Sequence, residues 1–262
     1  ARARAVEILG GVGPGRLAHG SLLLSFLSPG ASGAGACRQG TFTARHDASP
    51  AMPDHDPATS RRTLGHYDRH AQAFWDGTRD HDVRQNRDAL LRHIRGTPPF
   101  TLLDFGCGPG RDLIAFRALG HHVIGLDGSA EFCAMARAHR GCAVWQQDFL
   151  ALDLPAAHFD GVFANASLFH VPVDHLPAVL GALHATLKPG GVLFASNPRG
   201  EDQAGWQGER YGVYHSLDGW RAFVTAAGFV EIEHYYRPAG QPRHLQPWLA
   251  TVWRKPQGGD TT

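Results

Sequence analysis

The chain has 262 residues, 43% of them hydrophobic, which is enough apolar material for one large core. Its net charge of +1 excludes the strongly basic field that drives sequence-independent binding of phosphate backbones, so nucleic acid is not a favoured partner. No apolar run approaches the roughly 18 residues that a membrane-spanning helix needs. We therefore expect a soluble domain with no membrane partner.

The four cysteines are Cys37, Cys107, Cys133 and Cys142, and no two of them form a C-x-x-C pair. This spacing does not indicate a disulfide scaffold or a zinc knuckle. It fits a reducing compartment, so we predict a cytoplasmic protein without a metal site.

Residues 1–51 are rich in Gly, Ala, Ser and Arg and contain only two acids, Glu7 and Asp47. They lack the alternating apolar pattern of core elements, which predicts a disordered or non-native extension. An Arg-rich, acid-poor segment is also typical of a targeting peptide. A third interpretation is that Met52 is the natural start and the preceding residues are an artefact of upstream translation.

Residues 52–96 are predicted to form a helical cap. Tyr67, Ala71, Phe74 and Trp75 recur at helical spacing and form an apolar stripe. The run Asp80-His81-Asp82 contains metal-ligand side chains, but three consecutive helical residues point in different directions. We interpret that run as a solvated face.

The stretch that carries most information reads T-L-L-D-F-G-C-G-P-G-R-D over residues 101–112, which predicts a strand, a tight turn and a helix start. Its glycines are Gly106, Gly108 and Gly110. A Cβ at these positions would forbid positive φ and hold a ligand away from the backbone. We therefore expect a ligand to lie directly on this turn.

The spacing of the turn, G-x-G-x-G, differs from the dinucleotide fingerprint G-x-G-x-x-G, with Arg111 following the last glycine. A second apolar run, residues 123–126, ends at Asp127, about 20 residues downstream, where an acid binds ribose hydroxyls. Together the turn and Asp127 indicate a nucleoside-containing cofactor.

Further strands and helices alternate along the chain. We predict later strands at 143–145, 159–164, 192–195, 229–236 and 248–255, and helices at 112–119, 129–139, 174–187 and 216–227. A polar, glycine-bearing loop is expected over residues 201–215. The pattern predicts five β/α repeats followed by an antiparallel pair.

Four motifs carry a family resemblance: Asp104-Phe105-Gly106-Cys107-Gly108-Pro109-Gly110, Asp127, Gln147-Asp148-Phe149 and Leu187-Lys188-Pro189-Gly190-Gly191. They resemble the class I S-adenosylmethionine-dependent methyltransferases that act on small molecules. The resemblance implies a methyltransferase core over residues 97–262 and S-adenosyl-L-methionine as cofactor. It also implies an α/β, Rossmann-like three-layer sandwich, whose mostly parallel seven-stranded sheet has the order 3-2-1-4-5-7-6 with strand 7 antiparallel.

The resemblance also implies roles for individual residues. Asp148 would accept a hydrogen bond from the adenine amino group, with Phe149 near the ring, and Asp104 would contact the methionine amino group or order the turn through water. The predicted cofactor-binding residues are Asp104, Gly106, Cys107, Gly108, Gly110, Asp127, Gly128, Asp148, Phe149 and Asn165.

His170 is the candidate general base, because it titrates near neutral pH and follows strand four at the ligand edge; a histidine that only bonds a loop is the alternative. DNA methyltransferases carry Asn/Asp-Pro-Pro-aromatic here, and Asn165-Ala166-Ser167 departs from it, which disfavours a nucleobase target.

Five side chains are candidates for binding the acceptor. Arg199 and Arg210 would form a fork for a carboxylate or phosphate, with surface solubility as the competing interpretation. Tyr67, Trp206 and Tyr211 would supply aromatic walls for an apolar acceptor or for the sulfonium, with plain packing as the alternative.

The resulting hypothesis is methyl transfer to a small-molecule acceptor by in-line displacement. A cofactor-binding but non-catalytic partner subunit is a second hypothesis. A nicotinamide- or flavin-dependent oxidoreductase is a third, and Arg111, the Lys188-Pro189-Gly190-Gly191 turn and the terminal antiparallel strands argue against it. The acceptor atom, the use of a base and the oligomeric state are not readable from the sequence.

Overall fold

A computed structural model describes residues 57–139 and 141–257. The predictions for residues 1–51 and for Met52 lie outside these ranges, as does Cys37. The described residues form nine strands and seven α-helices around one main sheet. The strands are β1 (Thr101–Phe105), β2 (His122–Asp127), β3 (Ala143–Gln146), β4 (Phe159–Asn165), β5 (Leu187–Pro198), β6 (Gln203–Gln207), β7 (Arg210–Tyr214), β8 (Val230–Arg237) and β9 (Trp248–Arg254).

The helices that cover the sheet are short. They are α1 (Pro57–Arg69), α2 (Ala71–Thr78), α3 (Arg84–Leu91), α4 (Arg111–Ala118), α5 (Ala130–Ala138), α6 (Leu176–Thr186) and α7 (Leu217–Ala226). None of the helices in the described part of the chain is long and apolar enough to cross a membrane. The helices predicted at 129–139 and 216–227 each begin at a capping serine: Ser129 accepts a hydrogen bond from the Phe132 N–H and Ser216 accepts one from the Gly219 N–H.

The main sheet has seven strands in the order β3-β2-β1-β4-β5-β9-β8. β1 pairs in parallel with β2 and β4, whereas β9 runs antiparallel to both β5 and β8. This confirms the predicted α/β, Rossmann-like architecture. The strands named sixth and seventh in the prediction are β8 and β9 of the structure.

Both faces of the sheet are buried. Successive residues of a strand point to opposite faces, so Leu103 and Phe105 of β1 pack against α6 and α7 residues such as Trp220, whereas Leu102 packs with Phe116 on the other face. β1 therefore lies at the centre of a three-layer structure. Its carboxyl end is held rigidly where the glycine turn begins.

Two predicted connections differ from the structure. The loop predicted over residues 201–215 is wrong, since the chain forms the hairpin β6–β7 with a turn at Gly208, whose φ is +63°. The apolar alternation in these strands is short, with Ala204 and Trp206 in β6 and Tyr211 and Val213 in β7, and the glycines and polar residues around it favour a loop. The prediction of five β/α repeats is also wrong, because the connection between β3 and β4 contains no helix.

The cap helices are anchored to the sheet through Asn86, a fully buried residue of α3. Its Nδ2 donates to Asn165 Oδ1 at 2.9 Å, and its Oδ1 accepts from the Tyr235 hydroxyl at 3.0 Å. One amide thus joins α3 to the end of β4 and to β8. Removing it would leave Asn165 Oδ1 without this donor and would leave the Tyr235 hydroxyl with only its 3.4 Å bond to the Gln85 carbonyl.

We expect Asn86→Ala to lower the free energy of unfolding by about 1–3 kcal/mol, because Asn165 loses its donor and Tyr235 loses the shorter of its two hydrogen bonds. Gln85→Ala is the matched control, since Gln85 is exposed on the same helix and should change stability by less than about 0.5 kcal/mol. Urea denaturation followed by circular dichroism measures both. Equal effects of the two substitutions would contradict this account of Asn86.

Candidate functional site

The predicted ligand-binding positions lie at one edge of the sheet. β1, β2 and β4 run parallel, so their carboxyl ends meet there and bring together the glycine turn, Asp127 and Asn165. Open α/β sheets bind ligands at this edge. The structure therefore brings together residues that lie up to about 60 positions apart in the chain.

The glycine turn wraps over the end of β2, with the Gly106 and Cys107 N–H groups donating to the Leu126 carbonyl at 2.7 and 3.0 Å. All three glycines have positive φ, as predicted. A Cβ on Gly106 would lie 2.3 Å from Ser167 Cβ, and one on Gly110 would lie 2.9 Å from His139 Cδ2. Gly106 and Gly110 are therefore required because neighbouring protein atoms leave no room for a side chain.

Gly108 is the position that fits the expectation of a ligand on bare backbone. The nearest atom to a Cβ built there is Phe74 Cε1, at 3.7 Å. Gly106 and Gly110 therefore have a steric reason within the protein, whereas at Gly108 the bare backbone faces open space; contact of the three glycines with a cofactor stays a prediction. Gly108 is also the residue whose N–H bonds Asp127.

Asp127 holds the turn and the start of α5 together. Its Oδ2 accepts from the Gly108 N–H and its Oδ1 from the Ser129 N–H, both at 2.9 Å. Burial raises the pKa of Asp127 to about 6, although the backbone hydrogen bonds oppose that shift. Each carboxylate oxygen keeps a further lone pair for a donor such as a hydroxyl.

Asp104 lies beneath the same turn and is 3% exposed. Its Oδ2 is a buried oxygen without a hydrogen-bond partner among the described residues. Burial, and then the nearby charge of Asp112, raises the pKa of Asp104 well above its usual range, while Arg111 opposes the shift. A cationic ligand would stabilise the ionised form of this group.

The remaining cofactor candidates have protein partners in the structure. Cys107 lies in the core beneath the turn, where burial raises the pKa of its thiol well above the usual value. Phe149 stacks on Phe105 with ring centroids 4.3 Å apart. Asp148 Oδ2 accepts from the Ser60 hydroxyl of α1 at 2.5 Å, so α1 approaches the position predicted for adenine.

α1 covers the site through contacts that sequence reasoning missed. Leu64 packs on Gly128, where an added Cβ would lie 2.7 Å from Leu64 Cδ2. Asp68 Oδ1 accepts from the Ser129 hydroxyl at 2.6 Å and from the Glu131 N–H at 3.2 Å. No local pattern predicts these contacts, because the residues lie more than sixty positions apart.

Three aromatic rings form a wall between the glycine turn and the hairpin. The ring of Tyr67 lies 5.7 Å from that of Phe74 and 5.4 Å from that of Phe132. Phe74 faces Gly108, and the pKa of Tyr67 responds to the charge of Asp127. Tyr67 is therefore placed between the predicted ribose position and His170.

His170 uses both ring nitrogens. Its Nδ1 donates to the Tyr211 carbonyl at 2.6 Å, which fixes the tautomer and makes Nε2 the acceptor of the Tyr67 hydroxyl at 2.8 Å. Burial, with a smaller contribution from the charge of Arg210, lowers the pKa of His170 to about 4, although the hydrogen bond to the Tyr211 carbonyl opposes the shift. At neutral pH the imidazole is therefore neutral and its lone pair is engaged by Tyr67.

The two arginines proposed as a fork do not meet. Arg199 Nε donates to the Gln246 carbonyl and its Nη2 to the Arg243 carbonyl, both at 2.7 Å, which fixes the connection between β8 and β9. Arg210 instead lies beside Tyr67, whose phenol it contacts electrostatically. Only Arg210 of the pair is placed at the site.

The aromatic residues of the hairpin lie at its outer part. Trp206 is 42% exposed, stacks under the Arg62 guanidinium at 4.3 Å and contacts the Tyr211 ring edge to face. The Tyr211 backbone, by contrast, bonds His170 and the Thr63 hydroxyl. These two residues therefore fix the hairpin to α1.

Comparison with known proteins gives a consistent picture. Residues 102–191 match a family model described as a methyltransferase domain. The trans-aconitate 2-methyltransferase of Azoarcus sp. (strain BH72) is 38% identical over 126 residues, which are 47% of this chain and 49% of that protein. The malonyl-(acyl-carrier protein) O-methyltransferase of Enterobacter lignolyticus (strain SCF1) is 32% identical over 133 residues, 50% of this chain and 49% of that protein. The chain thus spans about half the length of the curated relatives it matches.

A solved structure shares the fold over a longer stretch. The 1,6-didemethyltoxoflavin-N1-methyltransferase of Burkholderia thailandensis, with 1,6-didemethyltoxoflavin and S-adenosylhomocysteine bound, superposes with a TM-score of 0.64 at 24% identity. The match covers 81% of this chain and 94% of that one. It includes more of the chain than the family model does and supports the fold described above.

The low pKa of His170 predicts a pH effect on stability. Below the usual histidine pKa the unfolded chain binds a proton that the folded protein does not, so acidification from pH 6.5 towards 4 destabilises the fold by at most about 1.4 kcal/mol per pH unit. His170→Asn should remove this component because asparagine does not titrate. Its amide can still donate to the Tyr211 carbonyl, so that contact is kept. Urea denaturation at pH 7, 6 and 5 measures the difference between the two proteins, and parallel pH profiles would contradict the prediction.

Proposed function

We propose that this chain, whose residues 102–191 match a methyltransferase family model, is a class I S-adenosylmethionine-dependent methyltransferase that transfers a methyl group from S-adenosyl-L-methionine to a small-molecule acceptor. The observation that carries the proposal is the arrangement around Gly108. Bare backbone is flanked there by the buried carboxyl groups of Asp127 and Asp104. Such a site suits a ligand with hydroxyl groups on one side and an ammonium on the other.

The residues present fit this cofactor. Asp127 would accept hydrogen bonds from the ribose hydroxyls with the lone pairs that its backbone partners leave free. Asp104 Oδ2, a buried oxygen without a partner in the described chain, would accept from the methionine ammonium. Asp148 would accept from the adenine amino group next to its bond with Ser60.

We infer that the protein contributes to the reaction mainly by positioning the acceptor relative to the cofactor. S-adenosyl-L-methionine supplies a methyl carbon on a positively charged sulfur, so the protein has to align an acceptor lone pair in line with the leaving sulfur. Alignment of this kind supplies on the order of 7–11 kcal/mol of the barrier. Tyr67, Phe74 and Phe132 would exclude water from this position and attract the positive charge with their rings.

Two measurements on the purified protein test the proposal. Isothermal titration should show binding of S-adenosylhomocysteine and none of NADH. Incubation with methyl-labelled S-adenosylmethionine and a small-molecule cell extract should transfer label to extract components and release S-adenosylhomocysteine. Binding of NADH alone would identify an oxidoreductase, and cofactor binding without label transfer would identify a non-catalytic subunit.

Asp127→Ala should weaken binding of S-adenosylhomocysteine at least about tenfold, because each charge-assisted hydrogen bond to a ribose hydroxyl contributes about 1.5–3 kcal/mol. Because Ala also removes the acceptor of the Gly108 and Ser129 N–H groups, urea denaturation of Asp127→Ala checks that the loss of affinity does not come from unfolding. Asp153→Ala, at an exposed carboxylate on the connection after β3, is the control and should leave affinity unchanged. Unchanged affinity in Asp127→Ala would show that the nucleoside binds elsewhere.

A further inference from the structure

The hairpin β6–β7 holds α1 through the acid at its turn. Glu209 Oε2 accepts from Arg69 Nη2 at 2.6 Å and lies 3.3 Å from His66 Nδ1. The hydrogen bond from Arg69, and then that from His66, lowers the pKa of Glu209, so this carboxylate is ionised at neutral pH. Beside it, Arg62 donates to the Gly208 carbonyl at 3.2 Å. The three α1 residues recur at spacings of four and three, so one face of the helix contacts the turn.

A different row of α1 residues covers the proposed cofactor position. Ser60 donates to Asp148 Oδ2 at 2.5 Å, where the adenine is expected. Asp68 Oδ1 accepts at 2.6 Å from the hydroxyl of Ser129, whose N–H donates to Asp127, where the ribose is expected. Between these two contacts the helix rises by about 12 Å. A cofactor that binds from Asp148 to Asp127 therefore lies beneath α1.

Entry and exit of that cofactor require α1 to move away from Asp148 and Ser129. Movement of α1 in turn breaks its contacts with the hairpin turn, of which the ion pair between Glu209 and Arg69 is the shortest. The two side chains are 46% and 56% exposed, so they meet at the surface and outside the cofactor position. Glu209 therefore opposes the movement of α1 from the solvent side.

We propose that Glu209 is a positioning residue that latches α1 to the hairpin through Arg69 and His66, and that this latch sets the rates at which the cofactor enters and leaves. The inference rests on the proposed function for the identity of the cofactor. It goes beyond that function by giving the hairpin a role in cofactor exchange. Movements of loops and helices that cover a site set the rate of exchange in many enzymes.

The latch has a kinetic signature that distinguishes it from a group that binds the cofactor. It joins two elements of the protein, so it opposes opening of α1 in the free and in the bound protein alike. Its loss should therefore accelerate entry and release by the same factor. The dissociation constant is the ratio of these two rate constants and should stay nearly unchanged.

Surface plasmon resonance with S-adenosylhomocysteine over the immobilised full chain measures both rate constants. We expect Glu209→Gln to raise the association and dissociation rate constants about two- to fivefold, the range for a partly exposed ion pair, with the dissociation constant changed less than about twofold. Higher salt should accelerate exchange more in the unsubstituted protein than in Glu209→Gln, because salt screens exposed charges. Glu201→Gln, at an exposed carboxylate just before β6, is the matched control and should keep both rate constants.

Exchange of the two charges makes the assignment specific. Glu209→Arg and Arg69→Glu should each accelerate exchange because they place like charges together, and the double variant should return towards the unsubstituted rates. Unchanged rate constants in Glu209→Gln and Glu209→Arg would overturn the latch while leaving the proposed function intact. A weaker affinity with an unchanged association rate would also overturn it, since Glu209 would then only support the bound site. Absence of binding to the unsubstituted protein would overturn the proposed function and the latch together.

Discussion

The arrangement of the site depends on the buried carboxylate of Asp127. It accepts one N–H from the glycine turn and one from the start of α5, so the ends of β1 and β2 are fixed relative to each other. The same Ser129 residue that donates to Asp127 also donates its hydroxyl to Asp68 of α1. The carboxylate therefore holds the glycine turn and the start of α5 in place directly, and it holds α1 in place through Ser129. The pKa of Asp127 is raised because its charge is buried here without a neighbouring cation.

The glycine turn and the individual strands of the core were predictable because their causes are local, whereas the strand order was predicted from the family resemblance. Glycines with positive φ, strands made of continuous apolar runs and an N-cap serine each leave a signal within a few residues. The steric reason for the glycines was only partly predictable, because the neighbours of Gly106 and Gly110 are Ser167 and His139, which come from distant elements. A sequence shows that a Cβ is missing, but it does not show which atom would collide with one.

The cap and the hairpin were less predictable for the same reason. β6 and β7 each carry only two alternating apolar residues, so their periodicity is a weak signal. Contacts with α1, such as Arg69–Glu209 and Thr63–Tyr211, hold the hairpin in place. Likewise His170 looked like a base because histidine titrates near neutral pH. Its two hydrogen bonds and its burial, which give it a different protonation behaviour, depend on Tyr67 and Tyr211, neither of which is near it in sequence.

α1 connects the two halves of the site within a little more than two helical turns. Ser60, Leu64 and Asp68 face the cofactor side at spacings of four residues, whereas Thr63 and Tyr67 face the hairpin and His170. Because both rows belong to one helix, ordering of α1 on one side fixes the other. A ligand that holds Asp127 and Asp148 in place would therefore also hold Tyr67 against His170 and Arg210. Cofactor binding and assembly of the acceptor position therefore both depend on α1.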